Sequence, residues 1–346
     1  MDTALFDYHL PQDLIAQEAI EPRDAARLLT IQGGQRDHHT VADLPKFLRP
    51  GDLLVLNRTR VIPARFAARK PTGGDLEVLL IHPLADGAGP RWTAFVRGKV
   101  RPGLVIDLLD HGDQPCAAVT IEACDDDEGT RILAFTPGTD VLALADQAGH
   151  IPLPPYIARA DRPADRERYQ TVFGDIPGSV AAPTASLHLT PDLLARLEAL
   201  GVRTALVELR IGPGTFKPVD TERVEDFRIH AEWCRCPPEA VAAIQATKAA
   251  GGRVICIGTT AVRTVETAAQ GGTLEPWEGW TRLFCHPPWN PRVTDGLLTN
   301  FHLPRSSLLM LVACFTGVEG LHAAYAEAVE RRYRFFSYGD AMLIFP

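Results

Sequence analysis

Three histidines stand in loop-like stretches of the chain: His188 in SVAAPTASLHLT, His230 with Glu232 in IHAEW, and His302 in TNFHLP close to Asn300. Imidazoles titrate near neutrality and carboxylates exchange protons readily. His188, His230, Glu232 and His302 are therefore the candidates for general acid and base. Any one of these histidines, taken alone, is more often a hydrogen-bonded structural residue than a catalytic one. Two loops add anion- and hydroxyl-binding chemistry. Gly212, Gly214 and Thr215 follow the strand-like TALVELRI, and Gly258, Thr259 and Thr260 follow RVICI. Small residues there allow close backbone approach, and free amides at a helix start suit a phosphate, carboxylate or hydroxyl-rich ligand. Glycines that merely make tight turns are the plainer alternative. Arg263, three residues beyond Thr260, offers a bidentate partner for a carboxylate, or else a surface ion pair.

Several chemistries are excluded. Neither loop fits GxGxxG or GxxxxGK[ST], and no GxSxG elbow is present. His230 with Glu232, and Cys234 with Cys236, have only i, i+2 spacing without a second matching pair, so no metal site is expected.

These residues need elements to hold them. Between Asp75 and Phe135, the runs LEVLLI, WTAFV, LVIDLL, CAAVTIEA and TRILAF are separated by Gly, Pro and Asp clusters, the pattern of a small β-barrel or sandwich. IPLPPYIAR then reads as an extended linker. Beyond it, strands alternate with helices: Thr190 caps a helix with Pro191 at its first position, PPEAVAAIQATKAAGG is a second, and GTTAVRTVETAAQGG opens directly from RVICIG. Alternation of this kind predicts an α/β layer with a substantially parallel sheet. GDLLVLN has no partner in the barrel and belongs to that layer, which makes the barrel an insertion. The expected fold is an α/β/α sandwich domain of residues 1–62 and 150–346, discontinuous around a small β-barrel domain of residues 63–149.

A chain of 346 residues suits about two domains, and 46% hydrophobic with 23% charged residues rules out wholesale disorder. Its longest unbroken apolar run, residues 308–315, is far short of the about 20 a membrane helix requires. The first residues show no basic stretch leading into an apolar one, and seven scattered cysteines suggest no disulfide framework, so a cytoplasmic protein is expected. A net charge of −8 argues against a nucleic-acid partner, yet residues 53–106 hold nine basic residues against three acidic. That excess marks either a local phosphate-binding face or arginines paired with acids elsewhere.

Longer motifs carry a resemblance. FDYHLPQDLIAQEAIEPRDAARLL, GDLLVLNRTRVIPAR, GHIPLPPYIAR, DRERYQTVF and GSVAAPTASLHLT resemble successive signatures of the S-adenosylmethionine:tRNA ribosyltransferase-isomerase family. GPGTFKPV, IHAEW, GTTAVRTVE, TNFHLPRSSLLMLV and YRFFSYGDAMLI continue them in order over nearly the whole chain. The resemblance implies a bacterial queuosine-pathway enzyme with an α/β/α domain and an inserted β-barrel. Such an enzyme moves the ribosyl part of S-adenosylmethionine, a co-substrate, onto 7-aminomethyl-7-deazaguanine at the tRNA wobble position. Isomerisation gives epoxyqueuosine-tRNA, and adenine and methionine leave. No true cofactor is implied, since the sulfonium supplies the electrophile. S-adenosylmethionine is then expected near Thr184, Ser186, Gly214, Thr215, Gly258, Thr259, Thr260, Arg263 and Asn300. Arg58, Arg60, Arg65, Arg97, Lys99 and Arg101 are expected along the tRNA path of a monomeric enzyme, with Arg60 and Arg65 alternatively serving the active site. Ser186 and Leu189 stand where APTAGLHF has Gly and Phe. Pro288 and Trp289 replace a Gly-aromatic pair, and Arg58 replaces a small polar or acidic residue. A non-catalytic RNA-binding paralogue is one alternative. A methyltransferase using S-adenosylmethionine on RNA is the other, although its glycine-rich loop after the first strand is missing.

Overall fold

The computed structural model describes residues 1–84, 90–126, 129–212 and 218–346. It opens with β1 (Arg27–Gln32) and β2 (Gln35–Thr40), a hairpin turned by Gly33 and Gly34, both at positive φ. β3 (Leu53–Asn57) is buried at every residue because alternate side chains enter two cores. Leu53 and Val55 join the core on one face, and Leu54 and Leu56 the core on the other, as a strand covered on both sides requires. A short β4 (Thr59–Val61) leads out.

Six strands then close a barrel: β5 (Arg65–Arg69), β6 (Asp75–Leu84), β7 (Arg91–Arg97), β8 (Val105–Leu109), β9 (Pro115–Asp125) and β10 (Thr130–Phe135). Phe66, Val78, Leu80, Ala94, Ile106 and Leu133 fill its interior at period two. α1 (Val141–Ala148) follows, capped by Asp140, and ends at Gly149. A Cβ at Gly149 would lie 1.8 Å from the Pro63 carbonyl oxygen, so only glycine lets the two chain segments lie this close. Arg65 and His150 exchange backbone hydrogen bonds of 3.2 and 2.8 Å, which lays the entrance and exit of the barrel side by side.

The chain continues through α2 (Asp165–Arg168), β11 (Ile176–Ser179), α3 (Pro191–Ala199), β12 (Arg203–Leu209), β13 (Glu232–Cys236) and α4 (Pro238–Ala249). It closes with β14 (Val254–Ile257), α5 (Thr259–Ala268), β15 (Trp277–Thr281), β16 (Gly296–Asn300), α6 (Ser307–Glu330) and β17 (Ala341–Phe345). Nine strands form one sheet in the order β15-β13-β12-β3-β14-β16-β17-β1-β2. The sheet is less parallel than its sequence pattern predicts. β12, β3, β14 and β16 run parallel through the centre, but β1–β2, β12–β13, β13–β15 and β16–β17 pair antiparallel. A glycine hairpin turns the chain at one edge, and β13 with β15 is added at the other.

Helices cover both faces, giving the expected α/β/α layers: α4, α5 and α6 on one side, α3 with the 3-10 turn Val41–Lys46 on the other. α6 is long and apolar enough to cross a membrane by length and composition. It breaks at Gly317 (φ 69°), however, and Leu309, Met310 and Val312 of its first half lie in the main core.

Candidate active site

In open α/β sheets, ligands gather beyond the carboxyl ends of the central strands. There β14 delivers Gly258 to the start of α5, and β16 delivers Asn300 and then His302. A 3-10 turn, Thr184–His188, lies across both. Thr184, Gly258, Thr259, Thr260, Asn300 and His302 line one small cavity of about 70 Å³. Gly258 sits at φ 89°, a conformation that favours glycine, and brings its backbone against Ala185. Thr260 Oγ1 is buried with no hydrogen-bond partner among the described residues, a hydroxyl left for a ligand.

A hydrogen-bond chain sets the polar wall. Thr184 Oγ1 donates to Asn300 Oδ1 (3.0 Å), and Asn300 Nδ2 donates to His188 Nε2 (3.1 Å) and to the Phe336 carbonyl (3.1 Å). His188 therefore does not line this cavity. It lies behind Asn300, facing a second small cavity bordered by Arg23 and Tyr338. Burial pushes its pKa down to about 4, only partly offset by the Asp340 carboxylate. His302 does line the cavity, with Nε2 at 2.8 Å from Thr299 Oγ1, and burial pushes it down to about 3. Both imidazoles are neutral at pH 7, so neither adds positive charge to the site.

This has a measurable consequence. Unfolded histidines titrate near 6.5, so below that pH the unfolded chain binds protons that the native chain refuses, and stability is lost as pH falls from about 6.5 towards 4. Two such groups contribute a slope of at most about 2.7 kcal/mol per pH unit. Urea unfolding between pH 5 and 6.5 should show it, and His302→Gln should reduce the slope by up to about 1.4 kcal/mol per unit. An equal slope in the variant would mean that His302 is not held neutral.

The other acid–base candidates lie in a larger cavity of about 380 Å³ between the sheet and the barrel. Glu232 opens β13 and accepts from the Gly212 N–H (3.0 Å). Its other oxygen is hydrogen-bonded to Arg263 Nη1 from α5, and Arg263 Nε donates to the Leu283 carbonyl (3.0 Å). With side chains only 6% and 7% exposed, Arg263 and Glu232 form a buried pair, so a surface ion pair at Arg263 is ruled out. Arg263 Nη2 is buried without a partner among the described residues. His230, half-buried, borders the same cavity. From the barrel, Thr93 and Phe95 of β7 face it while Trp92 and Ala94 turn inward. Leu308 borders both cavities. His302 lies in one of these two neighbouring chambers, His230 and Glu232 in the other, and His188 in neither.

Other expected residues fall differently. Ser186 is fully buried outside the cavity lining, its hydroxyl without a hydrogen-bond partner among the described residues. Gly214 and Thr215 lie outside the described residues. Leu189 belongs to the core on one face of the sheet, and Trp289 packs against the separate core on the other face. Among the basic residues, Arg58 is paired in a fork with Asp175, and Arg65 donates to the Leu153 carbonyl (3.0 Å). Arg60, Arg97, Lys99 and Arg101 are exposed. The linear excess of charge is thus not one face. Arg97, Lys99 and Arg101 share the β7–β8 connection, and Arg60 stands on β4. Reading the sequence for acids, bases and cations overlooked Trp280, Trp233 and Arg210, which line a further cavity next to Glu232. The tryptophan-rich WEGWT was the available signal.

A layered α/β sheet with chambers at its strand ends, facing a closed six-stranded barrel, defines a mixed α/β protein whose cavities lie at the ends of the sheet and beside the barrel. The chain belongs to the family described as queuosine biosynthesis protein, which matches residues 3–344. It is 50% identical to an S-adenosylmethionine:tRNA ribosyltransferase-isomerase of Anaeromyxobacter sp. (strain Fw109-5), over 98% of this chain and 97% of the relative. One of the same name from Acidithiobacillus ferrooxidans is 51% identical over 99% and 97%. The crystal structure of S-adenosylmethionine tRNA ribosyltransferase from Thermotoga maritima aligns with a TM-score of 0.56 and 38% identity, covering 98% of this chain and 99% of that one.

Proposed function

We propose that this chain is an S-adenosylmethionine:tRNA ribosyltransferase-isomerase that acts on 7-aminomethyl-7-deazaguanine at the wobble position and leaves epoxyqueuosine-tRNA, adenine and methionine. The observation that carries the reading is full-length similarity, at about half identity, to relatives of that name. S-adenosylmethionine enters as co-substrate. A chamber of about 70 Å³ is below the several hundred cubic ångströms that enclose a ligand of such size, so the molecule extends past Leu308 into the larger chamber. Gly258, Thr259 and Thr260, with Thr184 and Asn300, offer amides and hydroxyls to the ribose, and Arg263 Nη2 takes the methionine carboxylate.

Positive sulfur acidifies the carbon beside it, and His302 accepts that proton. His188 acts through Asn300 and is a positioning residue. His230 and Glu232, in the larger chamber, keep the incoming amine neutral and hydrogen-bond the departing adenine. The barrel, residues 63–149 between the two parts of the α/β/α domain, presents the tRNA through Arg97, Lys99 and Arg101, with Arg60 alongside. Arg58, paired with Asp175, carries no free charge to that path, and Arg65, hydrogen-bonded to the Leu153 carbonyl, helps to shape it. The enzyme works as a cytoplasmic monomer.

The test is direct. Protein, S-adenosylmethionine and tRNA carrying the aminomethyl-deazaguanine are incubated, and the digested nucleosides are weighed by mass spectrometry. The expected product gains the rearranged ribosyl group with stoichiometric adenine. Methyl addition would establish a methyltransferase, and binding without any mass change a non-catalytic RNA-binding protein.

A further inference from the structure

β15 is an edge strand of the large sheet, and it carries Trp280 with 52% of its surface exposed, the most open large apolar side chain among the described residues. Opposite it in register on β13 stands Trp233, so both indoles lie on one face. The Arg210 guanidinium lies 4.2 Å over the Trp233 ring and is steered there by Glu208 at 3.0 Å. His82 from the barrel meets Trp280 edge-on, with ring centroids 4.9 Å apart. Gly178 keeps the wall beside Arg210 flat, for a Cβ there would come within 3.2 Å of that side chain. Together these groups line a cavity of about 410 Å³ that shares Gly212 and Glu232 with the active-site chamber.

An exposed indole costs solubility and contributes nothing to a core, whereas a row of flat rings with a guanidinium is the surface on which unpaired nucleobases stack. Charge alone does not suit this row to a phosphate, because Glu208 already engages the cation. Resting on the tRNA reading above, we propose that Arg210, Trp233, Trp280 and His82 form a stacking platform for an unpaired base flanking the one being modified. The platform holds the neighbour flat against Trp280 while the target base turns into the adjoining chamber beside Glu232.

Equilibrium binding of an anticodon stem-loop RNA to wild type, Trp280→Phe and Trp280→Ala, at several salt concentrations, tests this. Loss of one base–aromatic stack should weaken Trp280→Ala by about 5- to 150-fold with an unchanged logarithmic salt slope, because no phosphate contact is lost. Trp280→Phe should stay close to wild type. Removing the base from one loop nucleotide should weaken wild type but barely affect Trp280→Ala, which identifies the stacked position. Equal affinity of Trp280→Ala and wild type would overturn the platform, as would a Trp280→Phe as weak as Trp280→Ala. Wild-type protein that fails to bind the stem-loop at all would overturn the tRNA reading itself.

Discussion

Arg263→Ala is expected to lower the stability of the protein by about 3–5 kcal/mol, the cost of removing one member of a buried ion pair. Glu232 has 7% of its side chain exposed, and Arg263 is the cation hydrogen-bonded to its carboxylate. Glu232→Gln should cost a similar amount, because it strands the guanidinium instead. Replacing both residues together, Arg263→Met with Glu232→Leu, should cost far less than the sum, since the penalty lies in the unpaired charge. Urea unfolding of the three variants measures this, and additive costs would show that the pair is not coupled. Arg263→Lys separates structure from substrate binding. Lysine keeps the charge but cannot serve Glu232, the Leu283 carbonyl and an incoming carboxylate in three fixed directions. Its KM for S-adenosylmethionine should rise while tRNA affinity holds. A lower stability with an unchanged KM would leave Arg263 a purely structural partner of Glu232.

That pair marks where the sequence stops being informative. Its alternation of strands and helices predicts the layers, and the apolar run 53–56 within GDLLVLN is legible as a strand of that sheet. Residue types also lead to Gly258, Thr260, Asn300 and His302, which share one chamber because each ends or follows a parallel strand. Pairing is what sequence conceals. Glu232 and Arg263 are 31 positions apart, brought together by the strand next to the sheet edge and a helix packed against it. Arg58 is cancelled by Asp175, 117 positions away. His188 looks like any loop histidine until burial and Asn300 show it to be a support. Trp280 was overlooked for the opposite reason: a tryptophan reads as core material, and only its exposure reveals a surface.

Removing Arg97, Lys99 and Arg101 together is expected to weaken tRNA binding and flatten its salt dependence, with S-adenosylmethionine affinity intact. A chain of net charge −8 repels RNA at a distance, so binding depends on a short-range positive patch. These three residues are the part of the basic segment that lies together in the fold and is exposed. Alternation along β7 aims Arg97 at the same side as Thr93 and Phe95, which line the active-site chamber, so a strand bound there leads directly into it. Each phosphate contact releases counterions and contributes about 0.7–0.9 to the logarithmic salt slope, so losing three should flatten it by up to about 2–3. Fluorescence titrations from low to moderate salt give the slope directly. In the other arginine-rich stretch, Arg331 pairs with Glu327 at 3.3 Å and Arg332 with Asp13 at 2.5 Å, while Arg334 keeps its charge beside the Glu18 carbonyl. Unchanged affinity and slope in the triple variant would take the barrel out of the tRNA path and turn the search to that stretch and to Arg60, exposed on β4.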